Sequence, residues 1–595
     1  MVAALDRSSA ETAASPVLAR RLKGWLLRNE SLRGYSLLSP TLLVMLVLMV
    51  APLCAMVGLS FATQNYVTID YGFSLKNYAI IFEPSSKATY FLGIPFYLQK
   101  PIYLILLFKS ILISLSATIV VVLLAYPMAY FLAFRVTKHK ITWLILITVP
   151  FFTSYLLRVF AWKVILGFNG VINSSLMSLG LLDKPLGFLL YSQTSVIITL
   201  AHAWAAVAIL PIYVSLEKID RSLLEAGSDL GDTRLRRFFR ITLPLSMPGT
   251  IAASLLVFIP TVGDYITPTL VGGTNGIMIG NVVQSLFGKG GNWPMGAAVS
   301  IVAMAVITVL VCLFLWGVGR RSTSRAEGVI HRGAPARFDL IGLYAVGYLV
   351  FLYVPVLLLP LFSFNDSIYV AFPLKGFTLQ WYAQMAENGP LQEALASSLK
   401  VGISASVIST ILGIFAAKAA TRYHLPYRAP VMGLIMLPLV IPSIILGIAL
   451  LTFVIKVLGI EPSLYTICAS HVLICVPFAM LVMISRLEGF DKSLEEASLD
   501  LGESAWATFW RVTFPLAMPG IVASMLLCFT TSFDEFLLAF FLSGNQPTLP
   551  VYIWGQLRLP TQLPNVLALG SCILAASFII VFLSERIRRR GLATP

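Results

Sequence analysis

Charge is scarce in this sequence: Asp, Glu, Lys and Arg supply only 12% of its 595 residues, against about 25% in soluble domains. Hydrophobic residues make up 58% and the mean hydropathy is +0.87. A soluble fold has no interior large enough for that much apolar surface, so most soluble-enzyme classes are excluded and lipid is the implied solvent. Cysteine is equally thin. Cys54, Cys312, Cys468, Cys475, Cys528 and Cys572 each fall in or at the end of an apolar run, and no C-x-x-C pair occurs. They read as small buried hydrophobes, neither a redox pair nor a zinc site. The phosphate-cradling pattern G-x-x-x-x-G-K-[ST] is absent, so any ATP is hydrolysed elsewhere. No Ser/His/Asp or Cys/His spacing suggests nucleophilic catalysis, which leaves no catalytic residue, and no cluster suggests a metal. The net charge of +15 is dispersed between apolar segments instead of forming one basic face, which excludes nucleic acid as a partner.

The apolar runs are long. A helix crossing the hydrocarbon needs about 20 residues, and about twelve such runs predict an all-α membrane protein. They lie near 35–61, 102–134, 141–166, 191–216, 248–271 and 296–319, then 338–364, 395–417, 429–455, 464–485, 518–542 and 563–583. The first, preceded by Arg20, Arg21, Lys23, Arg28 and Arg33, exceeds a signal-peptide core and reads as a retained span. With the N-terminus inside, the regions near 135–140, 218–240, 320–337, 418–428, 486–511 and 586–590 are cytoplasmic too. Together with the N-terminal segment these hold about 30 of the 42 Lys and Arg, as the positive-inside rule requires. Both termini are then cytoplasmic.

Sliding the chain on itself by about 271 residues exposes a repeat. LEKIDRSLLEAGSDLGDTRLRRFFRITLPLSMPG from Leu216 aligns without a gap on LEGFDKSLEEASLDLGESAWATFWRVTFPLAMPG from Leu487, about 18 of roughly 34 positions being identical. Six spans per half give the copies the same orientation. The expected organisation is a cytoplasmic segment 1–34, a first membrane domain 35–319, a linker 320–337, a second membrane domain 338–585 and a basic tail 586–595.

Within the repeated loop, Ser222 with Glu225 and Ser493 with Glu496 fit an S-x-x-E capping box. Leu223, Ala226 and Leu230, like Leu494, Ala497 and Leu501, form a narrow apolar stripe. Gly231 and Gly502 stand where a left-handed turn ends the helix. A second short segment follows, and Pro244 with Pro248, or Pro515 with Pro519, is expected to keep it from running straight into the next span.

Those residues carry a resemblance. Glu225-Ala226-Gly227, Gly231 and Ile241-x-Leu243-Pro244 look like the EAA-x3-G-x9-I-x-L-P signature of ATP-binding-cassette importer permeases, and Glu496-Ala497-Ser498, Gly502, Val512 and Pro515 look like a second copy. Gly227, Ser498, Val512 and Phe514 are small departures. The resemblance implies that each loop carries a coupling helix docked on a cytoplasmic ATPase. It further implies an ATPase dimer that binds ATP and Mg, an extracytoplasmic solute-binding protein, and a bacterial inner membrane as the location. The chain itself needs no cofactor. VGDYITPTLVGG, MIGNVVQSLF and NWPMGAAVSIV in the first half, and SFNDS, FTLQWY, SFDEFLLAFFLSG and TLPVYIWGQLR in the second, resemble the two permeases of spermidine/putrescine-type importers, here fused. The implied solute is a polyamine or a related small organic solute such as an opine. The rival, an ion-coupled secondary transporter of six plus six spans, expects its main cytoplasmic motif after the second span, where only 135–140 intervenes.

Asp264 and Glu535 occupy equivalent repeat positions, with Asp534 adjacent. Charge inside a span is costly, so they either attract a cation, aided by Tyr265, Phe533 and Phe536, or serve as hydrogen-bonded struts at helix ends. Trp293 and Trp381 read as interfacial anchors, Arg158 and Lys163 as snorkelling cations, and His202 and His471 as satisfied bundle histidines.

Overall fold

The computed structural model describes residues 29–66, 68–137, 139–288, 290–319 and 340–591. The basic stretch through Arg28, the linker 320–337 and the end of the tail lie outside the described residues. Among the described residues, eleven helices are long and apolar enough to cross a membrane, or twelve if one bent pair counts as a span. The only strands among the described residues form two small antiparallel hairpins, Thr63–Asn65 with Thr68–Asp70 and Pro84–Phe91 with Ile94–Leu98, which hydropathy gave no reason to expect.

The third span of each half departs from a straight run. In the first half, Lys140–Thr148 is followed by a tight turn at Val149–Phe152 before Tyr155–Leu166. In the second, Arg428–Leu439 and Ser443–Val457 meet at 94°. Pro150 in one and Pro438 with Pro442 in the other remove backbone donors and clash with the preceding turn, which breaks the helix.

Packing divides the described chain into two compact units that cut across the repeat. One contains residues up to Cys54 with Ala396–Val440 and Ala449–Gln546; the other contains Ala55–Leu395, Ile441–Ile448 and the chain from Pro547. In the first, Glu30–Met45 packs on Arg428–Met436 and Leu464–Glu488, and Thr41 Oγ1 donates to Leu412 O at 3.0 Å. In the second, Leu340–Ser363 packs on Ile102–Tyr130, Tyr155–Leu166 and Leu563–Gly591. The densest part of that unit is where Ile102–Tyr130, Gln193–Glu217 and Leu243–Val262 cross. Ala125, Ala129, Ala205, Ala208 and Ala253 are buried there, and a Cβ on Gly249 would stand 2.3 Å from Pro211 O. Lipid supplies no hydrophobic drive between helices, so small residues that let backbones approach supply the contact.

Several polar side chains take interior roles. Trp381 is buried and donates its Nε1–H to Asn365 O at 2.8 Å, so it is a strut, not an interfacial anchor. Arg158 does not snorkel: it is buried, bonds Ala203 O at 2.9 Å and lies over the Phe151 ring at 4.6 Å. His202 bonds Leu352 O at 3.1 Å and His471 bonds Ser532 Oγ at 2.7 Å, but His202 Nδ1 and His471 Nε2 are buried without a hydrogen-bond partner, so these bundle histidines are satisfied at one ring nitrogen only.

Candidate functional site

Each repeated loop folds as a short helix, a glycine turn and a second helix. The short helices are Arg221–Asp229 and Ser493–Asp500. Their starts are capped by Asp220 and Asp491, not by the expected boxes. Asp220 Oδ1 accepts from Ser222 N at 3.0 Å, and Asp491 Oδ1 accepts from Ser493 N at 3.0 Å. A carboxylate two residues earlier reaches the same N–H and adds a negative charge at the positive end of the helix dipole. The bonds from Ser493 hold the Asp491 carboxyl below its ordinary value, so this cap is intact at neutral pH and is lost only on acidification. The signal was present as D-x-S at the same place in both copies.

Both helices end in the same two-bond turn. Asp232 N donates to Gly227 O and Gly231 N to Ser228 O, each at 3.0 Å, while Glu503 N donates to Ser498 O at 3.2 Å and Gly502 N to Leu499 O at 2.9 Å. Gly231 and Gly502 sit at φ +83° and +89°, the left-handed conformation this motif requires. The third-alanine departures have a packing basis. A Cβ on Gly227 would stand 2.8 Å from Ile241 Cδ1, whereas Ser498 Oγ meets Thr508 Oγ1 at 3.0 Å.

The second segment starts at Thr233 or Ser504, whose side chains cap Arg236 N and Ala507 N. It then runs on unbroken, as Arg234–Val262 and Ala505–Asp534. Pro244 and Pro515 therefore do not separate loop from span. A wide turn at Phe238–Thr242, and again at Phe509–Thr513, immediately precedes each proline. Its shifted backbone bonding, such as Leu243 N to Phe238 O, accommodates the missing proline donor. Each short helix is thereby joined to a span through its glycine turn and one continuous helix.

Most of the apolar side chains left uncovered fall at repeat-equivalent positions, Leu499, opposite Ser228 in the repeat, being an exception. Leu230 and Leu501 are 87% and 86% exposed, Leu235 and Trp506 72% and 71%. Phe239 and Trp510, and Leu223 and Leu494, are exposed as pairs too, while Arg236 and Arg240, paired with Asp232, and Arg511, paired with Glu503, are exposed around them. Glu225, Ala226, Glu496 and Ala497 lie on the same two short helices.

The second loop has a further fastening that the repeat did not reveal. Glu495, which stands where the first copy has Leu224, pairs with Arg422 at 3.3 Å and accepts from Thr513 Oγ1 at 2.8 Å. Both charged side chains are nearly buried, at 8% and 13% exposure. Arg422 also donates to Leu487 O at 3.1 Å and lies over Phe490.

The acids at the ends of the fifth spans are helix caps. Asp264 is buried; its Oδ2 accepts from Tyr155 Oη at 2.6 Å and Thr267 Oγ1 at 2.5 Å, and its Oδ1 from Ile266 N at 2.9 Å. These bonds make it a strut. Tyr265 is buried edge-on against Trp554. Glu535 Oε1 accepts from Leu538 N at 3.1 Å, but Glu535 and Asp534 are only half-buried. Asp264→Asn is expected to lower the thermal midpoint of the purified chain. An amide cannot accept from all three donors, and an unsatisfied buried donor costs about 1–3 kcal/mol. A variant with unchanged melting but reduced uptake would instead give Asp264 a role on the solute. No group of three His, Cys, Asp or Glu side chains able to hold a metal occurs among the described residues.

The profile of the family described as "Binding-protein-dependent transport system inner membrane component" matches residues 37–321 and again 409–591. The spermidine/putrescine transport system permease protein PotB of Haemophilus influenzae is 38% identical over 217 residues, 36% of this chain and 76% of that permease. PotB of Escherichia coli is 34% identical over 277 residues, 46% of this chain and 94% of its own length. PotC of Escherichia coli is 32% identical over 251 residues, 42% of this chain and 94% of its own length, and the PotB and PotC matches cover different parts of the sequence. With a duplicated loop, a duplicated profile match and a membrane-spanning helical fold, the chain belongs to the family of binding-protein-dependent transport system inner membrane components, with two permeases fused in one polypeptide.

Proposed function

We propose that the chain forms the solute path of an ATP-driven polyamine importer, with one subunit of an ATPase dimer docked on each loop and a solute-binding protein delivering at the opposite face. ATP and Mg bind to the ATPase. The loops and both termini face the cytoplasm, which the distribution of Lys and Arg supports. The observation that carries the docking is the pairing of exposed apolar side chains, Leu230 with Leu501 and Leu235 with Trp506. Apolar surface of this kind on the polar side of a membrane protein marks a protein contact. Its rim of exposed arginines suits a partner with an acidic border. Wide sequence likeness to spermidine/putrescine permeases supports the solute class. The half-buried Asp534 and Glu535 are the acids we assign to the path, since Asp264 is buried and accepts three hydrogen bonds.

Two arms test this separately. Leu230→Asp with Leu501→Asp is expected to weaken ATPase association about a hundredfold, the loss of about 3 kcal/mol or more when two leucines no longer bury apolar area. Undiminished co-purification would refute docking at these loops. In proteoliposomes with the ATPase and binding protein, uptake of labelled spermidine should compete with putrescine and fall severalfold in Glu535→Gln. Preference for an anionic solute would overturn the polyamine assignment and leave the docking intact.

A further inference from the structure

Of the two hairpins in the connection between the membrane helices Glu30–Ser60 and Ile102–Arg135, the second has the longer strands. Strands Pro84–Phe91 and Ile94–Leu98 pair antiparallel through Phe91 with Ile94 and Tyr90 with Pro95. They turn at Leu92 and Gly93, both at positive φ, the conformation of a tight two-residue hairpin turn. From Leu98 only a short connection leads into the helix that begins at Ile102.

The Phe91 ring, at the tip, lies against Phe108 with centroids 6.2 Å apart. Phe108 is about six residues, or roughly 9 Å, down the helix from Ile102 at about 1.5 Å per residue. The hairpin therefore does not project away from the membrane; it doubles back, and its tip points along the helix towards the bilayer. The depth can be placed from the other end. Arg135 closes the same helix, and Phe108 is about 27 residues away, a rise of about 40 Å, close to the thickness of about 40–45 Å for a bilayer with its headgroups. With Arg135 among the headgroups on the side of the loop helices, the tip lies at the level of the headgroups of the opposite leaflet. Further down that helix, Leu115, Ile119 and Leu123 face outward, where hydrocarbon is expected.

The chemistry of the hairpin follows the same gradient. The tip, Tyr90-Phe91-Leu92-Gly93-Ile94-Pro95, carries no charge, while Glu83, Lys87 and Lys100 all lie towards the base. Tyr90 is 69% and Leu92 72% exposed, and Ile94 and Tyr97 are exposed beside them. Tyrosines with an apolar body and a polar tip, backed by lysines one layer further out, match the interfacial zone of a bilayer. The alternative of leaving this patch in water would expose apolar area with nothing to cover it.

We infer that the 84–98 hairpin is a membrane-interface anchor whose tip, Tyr90 to Ile94, is seated among the lipid headgroups and upper acyl chains of the leaflet opposite the loop helices. It braces the outer end of the second span against the bilayer surface. Its neighbour, the turn at Tyr66, serves as a comparison point: Tyr66 is 99% exposed, and its strand is tied by Gln64 to Gly291 O and Trp293 N.

The full chain, with Cys54, Cys312, Cys468 and Cys572 changed to Ser, is spin-labelled at Leu92→Cys or at Tyr66→Cys and placed in nanodiscs of phosphatidylethanolamine and phosphatidylglycerol. Power saturation then compares collision with oxygen, which concentrates in lipid, and with a water-soluble nickel chelate. The label at 92 is expected to favour oxygen severalfold over the label at 66. If the label at 92 collides with the nickel chelate more than with oxygen, the tip is in water and the anchor is refuted. If 92 is open to nickel and becomes shielded only when a solute-binding protein is added, the hairpin is a protein contact and the lipid assignment is equally refuted. Leu92→Asp supplies an independent reading: it should reduce oxygen collision of a label at Tyr97→Cys while the chain still inserts, and no change there would count against the proposal.

Discussion

Replacing Gly231 and Gly502 together by Val is expected to abolish ATP-coupled uptake while leaving the chain in the membrane. Both glycines sit at positive φ, and a Cβ at either place meets nothing within 4 Å, so the obstacle is backbone strain alone. Left-handed backbone costs an L-residue about 1–2 kcal/mol, and a β-branched side chain raises that further. Relief of the strain requires giving up the bonds from Asp232 N to Gly227 O and from Glu503 N to Ser498 O, which aim the short helix relative to the helix entering the span. Asn tolerates the same conformation, so Gly231→Asn with Gly502→Asn should keep most of the uptake. The readouts are uptake and stimulation of the ATPase in proteoliposomes, alongside membrane abundance. Normal uptake by the Val pair would remove the turn from the coupling path.

The second large effect is expected at the buried ion pair of the second loop. Glu495→Ala leaves the Arg422 guanidinium nearly buried without its carboxylate, a loss of about 3–5 kcal/mol for a pair of this kind. Thr513 also loses its acceptor. The loop helix should come loose from the end of Gly389–Arg422, with uptake lost and the thermal midpoint lowered. Glu495→Leu combined with Arg422→Leu removes both charges and is expected to recover much of the stability, because replacing a buried pair by apolar groups is often neutral. Position 224 of the first copy already carries Leu at this point of the repeat. A double variant as unstable as the single one would show that Arg422 matters through Leu487 and Phe490, not through Glu495.

The elements legible beforehand are those set by interactions within a few residues. The spans follow from runs of apolar residues, the loop helices from an apolar stripe and an acidic cap, and the glycine turns from the one residue type that adopts their backbone. The caps lie two residues earlier than expected because S-x-x-E and D-x-S offer carboxylates to the same N–H, and Asp220 and Asp491 take it. The prolines at 244 and 515 were misjudged because a wide turn just before each absorbs the missing donor, and composition does not announce such a turn.

By itself the sequence determined the membrane solvent, the number of spans to within one, the duplication and the form of the loops, since each rests on local periodicity or on comparison of the chain with itself. Only the tertiary structure decided which spans share a compact unit, that Tyr155 and Thr267 occupy Asp264, that Arg422 reaches Glu495, and that Phe91 returns to Phe108. The residues in most of those contacts lie tens or more of positions apart. A contact at such separation is formed against chain entropy by the packing of whole helices, and leaves no pattern in the residues between.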